Sequence, residues 1–294
     1  MRSDRPSATA TLIAKSQLLM AQSPHLADCH SEREIQLYHA FLHAALGDAW
    51  QPSTLQRIVL RSIERLSVPG IYLHHTLRKR YIQAVAHELL ESGRISQVVV
   101  IAAGFDPLLT ILSEIYPSAT FIELDHPATQ APKRSALTNA QNISLIPLDF
   151  TTGSLPASLK NSFFSAEKPT LFIAEGITMY LDSARIDALL HDITHITRHP
   201  ESRFLFTYME KQPCGSIQFE SATLFTNLWL RLKNERFTWG IESHSLADFL
   251  LRRGLTLLER CDTSTLAATH LTPASSHRIA KGEYIALASI GICP

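Results

Sequence analysis

Four apolar residues in a row, Val98-Val99-Val100-Ile101, run without a polar break into Ala102-Ala103-Gly104-Phe105-Asp106. A run this short and this rich in β-branched side chains reads as a strand buried on both faces, the kind found in parallel sheets. About twenty residues past the turn, a second run, Phe121-Ile122-Glu123-Leu124-Asp125, ends on a carboxylate. A strand, a tight turn and an acid at the tip of the next strand form the arrangement that holds a nucleotide-type cofactor at the carboxyl edge of a parallel sheet. The turn lets backbone approach the ligand, and the acid accepts hydrogen bonds from ribose hydroxyls.

Similar runs recur at 97–102, 119–124, 143–147, 170–174, 203–208, 255–260 and 283–289, separated by helical segments. Alternation of this kind predicts a mainly parallel seven-stranded sheet with helices on both faces and right-handed crossovers. Residues 1 to about 95 read as mostly helical. Ile35, Leu37, Tyr38, Phe41, Leu42 and Ala45 fall at helical spacing, as do Tyr81, Ile82, Val85, Leu89 and Leu90 before Gly93. Residues 215–240 interrupt the rhythm, and Leu224, Phe225, Leu228, Trp229 and Leu232 form an apolar stripe suited to a lid or cap. The expected organisation is an N-terminal helical cap over 1–95 and a ligand-binding α/β domain over 96–294, with a lid-like insertion near 215–240.

Composition narrows the classes. With 45% hydrophobic residues, the 294-residue chain can bury a substantial core. Its 27 basic and 27 acidic residues balance, which argues against a nucleic-acid partner. No stretch approaches the roughly 20 apolar residues of a membrane span, and no signal peptide is read at the N-terminus. Cys29, Cys214, Cys261 and Cys293 are far apart, forming neither a metal pair nor a disulfide framework, so reduced thiols and a cytoplasmic chain are expected.

The turn at 102–106 is a poor dinucleotide fingerprint. The G-x-G-x-x-G template falls on Ala102, Gly104 and Pro107, one glycine in three, so a nicotinamide-dependent oxidoreductase is disfavoured. Pro107 suits the first turn of a helix. Strand alternation places Phe121, Glu123 and Asp125 on one face, and Asp125, at the tip, is the better ribose ligand. Leu148-Asp149-Phe150 follows another strand; Asp149 either accepts from an adenine amino group, with Phe150 as a flat wall, or caps a helix. Leu171-Phe172-Ile173-Ala174 delivers Glu175 to a fourth strand end. Several acids at successive strand ends would repel phosphate. They fit S-adenosyl-L-methionine, with its ribose hydroxyls, adenine amine, α-ammonium and sulfonium.

Ile101-Ala-Ala-Gly-Phe-Asp106, Phe121-Ile-Glu-Leu-Asp-His-Pro127, Leu148-Asp149 and Ala174-Glu-Gly-Ile-Thr-Met-Tyr-Leu181, in this order and spacing, resemble the leucine carboxyl methyltransferase-like family of class I S-adenosyl-L-methionine-dependent methyltransferases. The resemblance covers roughly 70–290, and includes Arg78-Lys79-Arg80 and Phe237-Thr-Trp-Gly-Ile241. It implies a Rossmann-like methyltransferase fold and methyl transfer to a carboxylate or hydroxyl of a small molecule or a protein C-terminus. It further implies that Arg78 pairs with the cofactor's carboxylate. Ala102, Gly104 and Asp106 then belong to the turn against its methionine part, and Asp125 holds the ribose. Asp149 and Phe150 frame the adenine, Glu175 sits near the ammonium, and Tyr180 faces the cofactor or the acceptor.

The family's turn begins Gly-x-Gly, whereas this chain has Ala102; alanine weakens cofactor binding there if the position needs positive φ. A non-catalytic cofactor-binding scaffold of the same fold is the alternative that this departure favours. No catalytic base is identified. His191, His195 and His199 are spaced to share a helix face, but no acid or cysteine motif accompanies them and no metal is expected.

Overall fold

The computed structural model describes residues 6–23, 26, 29–47, 50–137, 142–150, 152–160, 162–223, 237–270 and 278–291. The stripe over 224–232 lies outside the described residues.

Four helices precede the sheet: α1 (Ala8–Met20), α2 (Glu32–Leu46), α3 (Thr54–Leu66) and α4 (Ile71–Glu91). Their starts follow local chemistry. The Ser31 and Ser53 hydroxyls accept the N–H of Glu34 and Gln56, whose side chains return a bond to the cap backbone. Then come β1 (Gln97–Ile101), α5 (Leu108–Ile115), β2 (Thr120–Asp125), α6 (Pro127–Ala136), β3 (Ile143–Pro147), α7 (Leu155–Leu159), β4 (Thr170–Ala174), α8 (Ser183–Ile196), β5 (Arg203–Met209), α9 (Leu246–Leu251), β6 (Leu255–Cys261), α10 (Thr263–His270) and β7 (Glu283–Ile290).

The seven strands form one sheet in the order β3-β2-β1-β4-β5-β7-β6. β1 to β5 run parallel, and β7 is antiparallel to both neighbours. The anticipated strands are found, with ends shifted by a residue where turns intervene: β1 stops at Ile101 because Ala102 leaves the extended region, and β2 runs on to Asp125. Alternate residues feed the two faces. Val99, Ile101, Ile122, Phe172 and Phe204 meet α7, α8 and α9 on one side. Val98, Val100, Phe121, Ile173 and Leu205 meet α4, α5 and α10 on the other. Helix α4, within the stretch read as a cap, therefore covers the sheet directly.

Strand order reverses between β1 and β4. In open α/β sheets such a switch point opens a crevice beyond the carboxyl strand ends. The site lies there.

Candidate functional site

A cavity of about 570 Å³ opens at that crevice, within the roughly 300–1,000 Å³ usual for small-molecule and cofactor sites. Arg78, Ala102, Gly104, Asp106, Asp125, Asp149, Phe150, Glu175 and Tyr180 all line it. The ends of four strands, one helix and one short 3-10 turn thus bring together residues spread over a hundred positions.

The turn after β1 is the tightest part. Ala102 has φ 58°, the left-handed region, and is the one non-glycine residue there among those described. The departure from glycine therefore falls where a Cβ is disfavoured, at about 1–2 kcal/mol. Surrounding bonds hold the conformation. Leu124's carbonyl accepts from Ala102 N (2.8 Å) and Ala103 N (3.4 Å). Gly104, also at φ 58°, donates its N–H to Asp125 Oδ2. Asp125 Oδ1 accepts from His126 N at 2.5 Å. Burial raises the Asp125 pKa and these donors only partly offset it. Asp125 thus braces the turn from the cavity wall.

Two lysines to which the sequence reading gave no role clamp the same turn. Lys133 of α6 is fully buried; its Nζ donates to the Asp106 carbonyl (2.5 Å), to the Gly104 carbonyl (3.3 Å) and to Glu123 Oε2 (2.7 Å). Burial pushes Glu123 up to about 7, with Lys133 partly offsetting it. Lys79 Nζ pairs with Asp106 Oδ2 and lies 3.1 Å from Glu175 Oε1. Burial would raise the Asp106 pKa, but Lys79 and Lys133 outweigh it and hold it below the usual value. Asp106 Oδ1 also accepts from Leu108 N (2.9 Å), starting α5 just after Pro107.

Beneath Glu175 lies a buried charge network. Arg78 is 3% exposed. Its Nε and Nη2 donate to Glu175 Oε1 (2.9 and 2.6 Å), and Nη1 donates to Glu283 Oε2 (2.6 Å). His74, one turn earlier on α4, sits 2.9 Å from the same Glu283 oxygen. Burial opposes both charges, yet the pairing wins: Arg78 is held above its ordinary pKa and Glu283 well below the carboxylate range. The guanidinium expected to meet a cofactor carboxylate is thus committed to two protein carboxylates in this state. Glu283, the first residue of β7, had no local signal marking it.

At the other end, His126 caps α6 by accepting Ala128 N at Nδ1 (3.2 Å), which turns Nε2 toward Asp149 Oδ2 at 3.9 Å. Asp149 is not a helix cap: its carbonyl takes Thr152 N and Gly153 N in a turn, and Ser154 caps α7. Tyr180 stands on a short 3-10 turn, 5.6 Å ring to ring from Phe237. Helix α1 closes one side; Ala10 approaches so near that a Cβ on Gly104 would lie 3.2 Å from its own. The three histidines of 191–199 do not share a helix face. His191 and His195 stack at 4.0 Å on α8, but α8 ends at Ile196 and His199, before Pro200, lies beyond it. No cluster of three or more metal-ligating residues occurs among the described residues.

This strand order, with an acid at or just beyond the tips of β2, β3 and β4 around one crevice, is that of the class I methyltransferase fold. Two solved structures share it: a methyltransferase from Thermobifida fusca (TM-score 0.59, 15% identity, 86% of this chain and 94% of that one) and a Streptomyces avermitilis protein of the DUF574 family (TM-score 0.59, 16% identity, 85% and 95%). The leucine carboxyl methyltransferase family profile matches residues 29–194, and the chain belongs to that family. A Mycobacteroides abscessus protein named as an S-adenosyl-L-methionine-dependent methyltransferase is 31% identical over 160 residues, 52% of each chain. A Mycobacterium tuberculosis protein of the same designation is 29% identical over 206 residues, 67% of this chain and 56% of its own length. The matched stretch thus spans about half the length of these relatives. A second M. abscessus protein so named aligns at 26% identity over 90% of this chain and 88% of its own.

Proposed function

We propose that this chain is an S-adenosyl-L-methionine-dependent O-methyltransferase acting on a carboxylate or hydroxyl of a small molecule or a protein C-terminus. The observation carrying the reading is the cavity at the switch point, where Asp125, Asp149 and Glu175 converge with Arg78.

The donor set fits the cofactor. Carboxylates of Asp125, Asp149 and Glu175 are acceptors for ribose hydroxyls, an adenine amine and an α-ammonium, and their charge favours a sulfonium. Gly176 leaves open the space beside Arg78: a Cβ there would come 3.6 Å from Nη2. When bound, the cofactor supplies a methyl group activated by positive sulfur. The chain's residues then orient and desolvate. Asp125 holds the ribose face, Asp149 and Phe150 flank the base, and Arg78 with Glu175 meets the zwitterionic end. A carboxylate acceptor is anionic at neutral pH and needs no base. Arg185, at the cavity edge and half exposed with Asp182 4.0 Å away, offers such an acceptor a cation.

Titration calorimetry with S-adenosyl-L-methionine and S-adenosylhomocysteine tests the cofactor. Micromolar binding supports the reading, and no binding to either refutes it. Labelled methyl transfer to acid and alcohol acceptors, read by base-lability of the product ester, tests the reaction class. The left-handed Ala102 favours one competing reading, a binding scaffold without turnover. Cofactor binding with no transfer to any acceptor would support it.

A further inference from the structure

Helix α3 is built inside out. Leu55, Ile58, Val59, Ile63 and Leu66 recur at helical spacing and share one face. That face points to solvent: these side chains are 70, 56, 47, 36 and 61% exposed, and no described residue covers them. Leu60, on the other side, is the helix's one buried residue and joins the apolar cluster of Tyr72, Val68 and Met179. An amphipathic helix normally turns its stripe inward, so an outward stripe marks a surface with an occupant.

Two observations select that occupant. The first is charge. Arg57, Arg61 and Arg65, spaced i, i+4 and i+8, are exposed and form a ridge along one flank of the stripe. Exposed Arg278 and Lys281 lie just past the helix's C-terminal end, where the Arg278 backbone passes against Gly70. Of the acids here, Glu64 turns inward to accept Tyr72 N at 3.2 Å, which leaves exposed Glu220 as one acid beside five exposed basic residues. The second is size. A helix of 13 residues is about 20 Å long and about 10 Å across, a footprint on the order of 200 Å². A stable protein interface buries about 800 Å² per partner. A bilayer imposes no such minimum.

We propose that α3 docks the protein on an anionic membrane surface. It lies in the interfacial plane, with the Leu55–Leu66 stripe at the acyl boundary and the arginine ridge on lipid phosphates. The sequence reading expects no membrane partner, and docking through α3 departs from that expectation. No helix among the described residues is long and apolar enough to cross a membrane, and lying on one needs none. Tyr180 packs against the same cluster as Leu60, so that cluster lies between α3 and the Tyr180 end of the cavity.

The test is flotation of the full chain with phosphatidylcholine vesicles, with and without one quarter phosphatidylglycerol. Binding is expected only with phosphatidylglycerol and is lost at high salt. Ile58→Glu with Leu66→Glu should lower the partition constant at least about tenfold. Arg61→Gln and Arg65→Gln should each lower it about fivefold. Melting temperature and S-adenosylhomocysteine affinity matching the parent chain show that the variants are folded. Three results would each overturn the proposal: no binding to anionic vesicles, binding that the glutamates leave intact, or a dimer in light scattering that Ile58→Glu splits.

Discussion

Replacing Ala102 with glycine should stabilise this protein, which is an unusual expectation for any change to glycine. Ala102 sits at φ 58°, where an L-residue with a Cβ is disfavoured by about 1–2 kcal/mol. Glycine removes that strain but loses about 0.5–1 kcal/mol more backbone entropy on folding. The difference leaves a net gain of about 0.5–1 kcal/mol. The hydrogen bonds to the Leu124 carbonyl use backbone donors and survive the change. Urea unfolding should show a higher midpoint at unchanged slope, because the surface exposed is the same. Thermal unfolding should rise by about 1–3 °C. Ala102→Val should go the other way, since a β-branched residue tolerates positive φ worst. A lower midpoint for Ala102→Gly would refute the reasoning: it would mean that the alanine methyl contributes packing worth more than the backbone strain.

Three further outcomes follow from the same geometry. Arg78→Met leaves Glu283 buried without its guanidinium, so stability should fall by about 3–5 kcal/mol in denaturant titration; a loss under about 1 kcal/mol would contradict the buried network. Asp125→Asn keeps one acceptor for the turn's backbone donors but removes the charge; calorimetry should show at least about tenfold weaker cofactor binding with modest loss of stability, and unchanged affinity would remove Asp125 from the ribose. Glu123, raised to about 7 by burial, holds its proton more tightly folded than unfolded. Its contribution is therefore full below the unfolded pKa and is lost as pH rises toward about 7. Glu123→Gln should flatten stability over that range relative to the parent chain, and parallel pH curves for the two proteins would count against it.

The strand tips were legible because two signals coincide there: a short apolar run and a carboxylate where apolar chemistry should continue. Asp125 and Glu175 both show it, and the order of the motifs around them points to one family. What stayed hidden has a common cause. Lys133 sits in a helix where lysine ordinarily faces water; only the tertiary position of α6 puts its ammonium under the 104–106 turn. Glu283 opens a strand 205 residues from Arg78, and no local pattern links them. Ala102 by itself carries no mark of left-handed backbone; only the glycine that the family places there pointed to positive φ. The three-histidine spacing misled because Pro200 ends the helical region early. For α3, periodicity defines an apolar face but not the direction in which it points.

The placement of β7 bears on how this protein is made. Its first residue anchors Arg78, and the strand inserts between β5 and β6. During synthesis, Arg78 can meet Glu175 but lacks its second, fully buried carboxylate until residue 283 has cleared the ribosome. The floor of the cavity forms last, so a ligand has no finished seat in the growing chain, and truncation before β7 should abolish binding rather than merely weaken it.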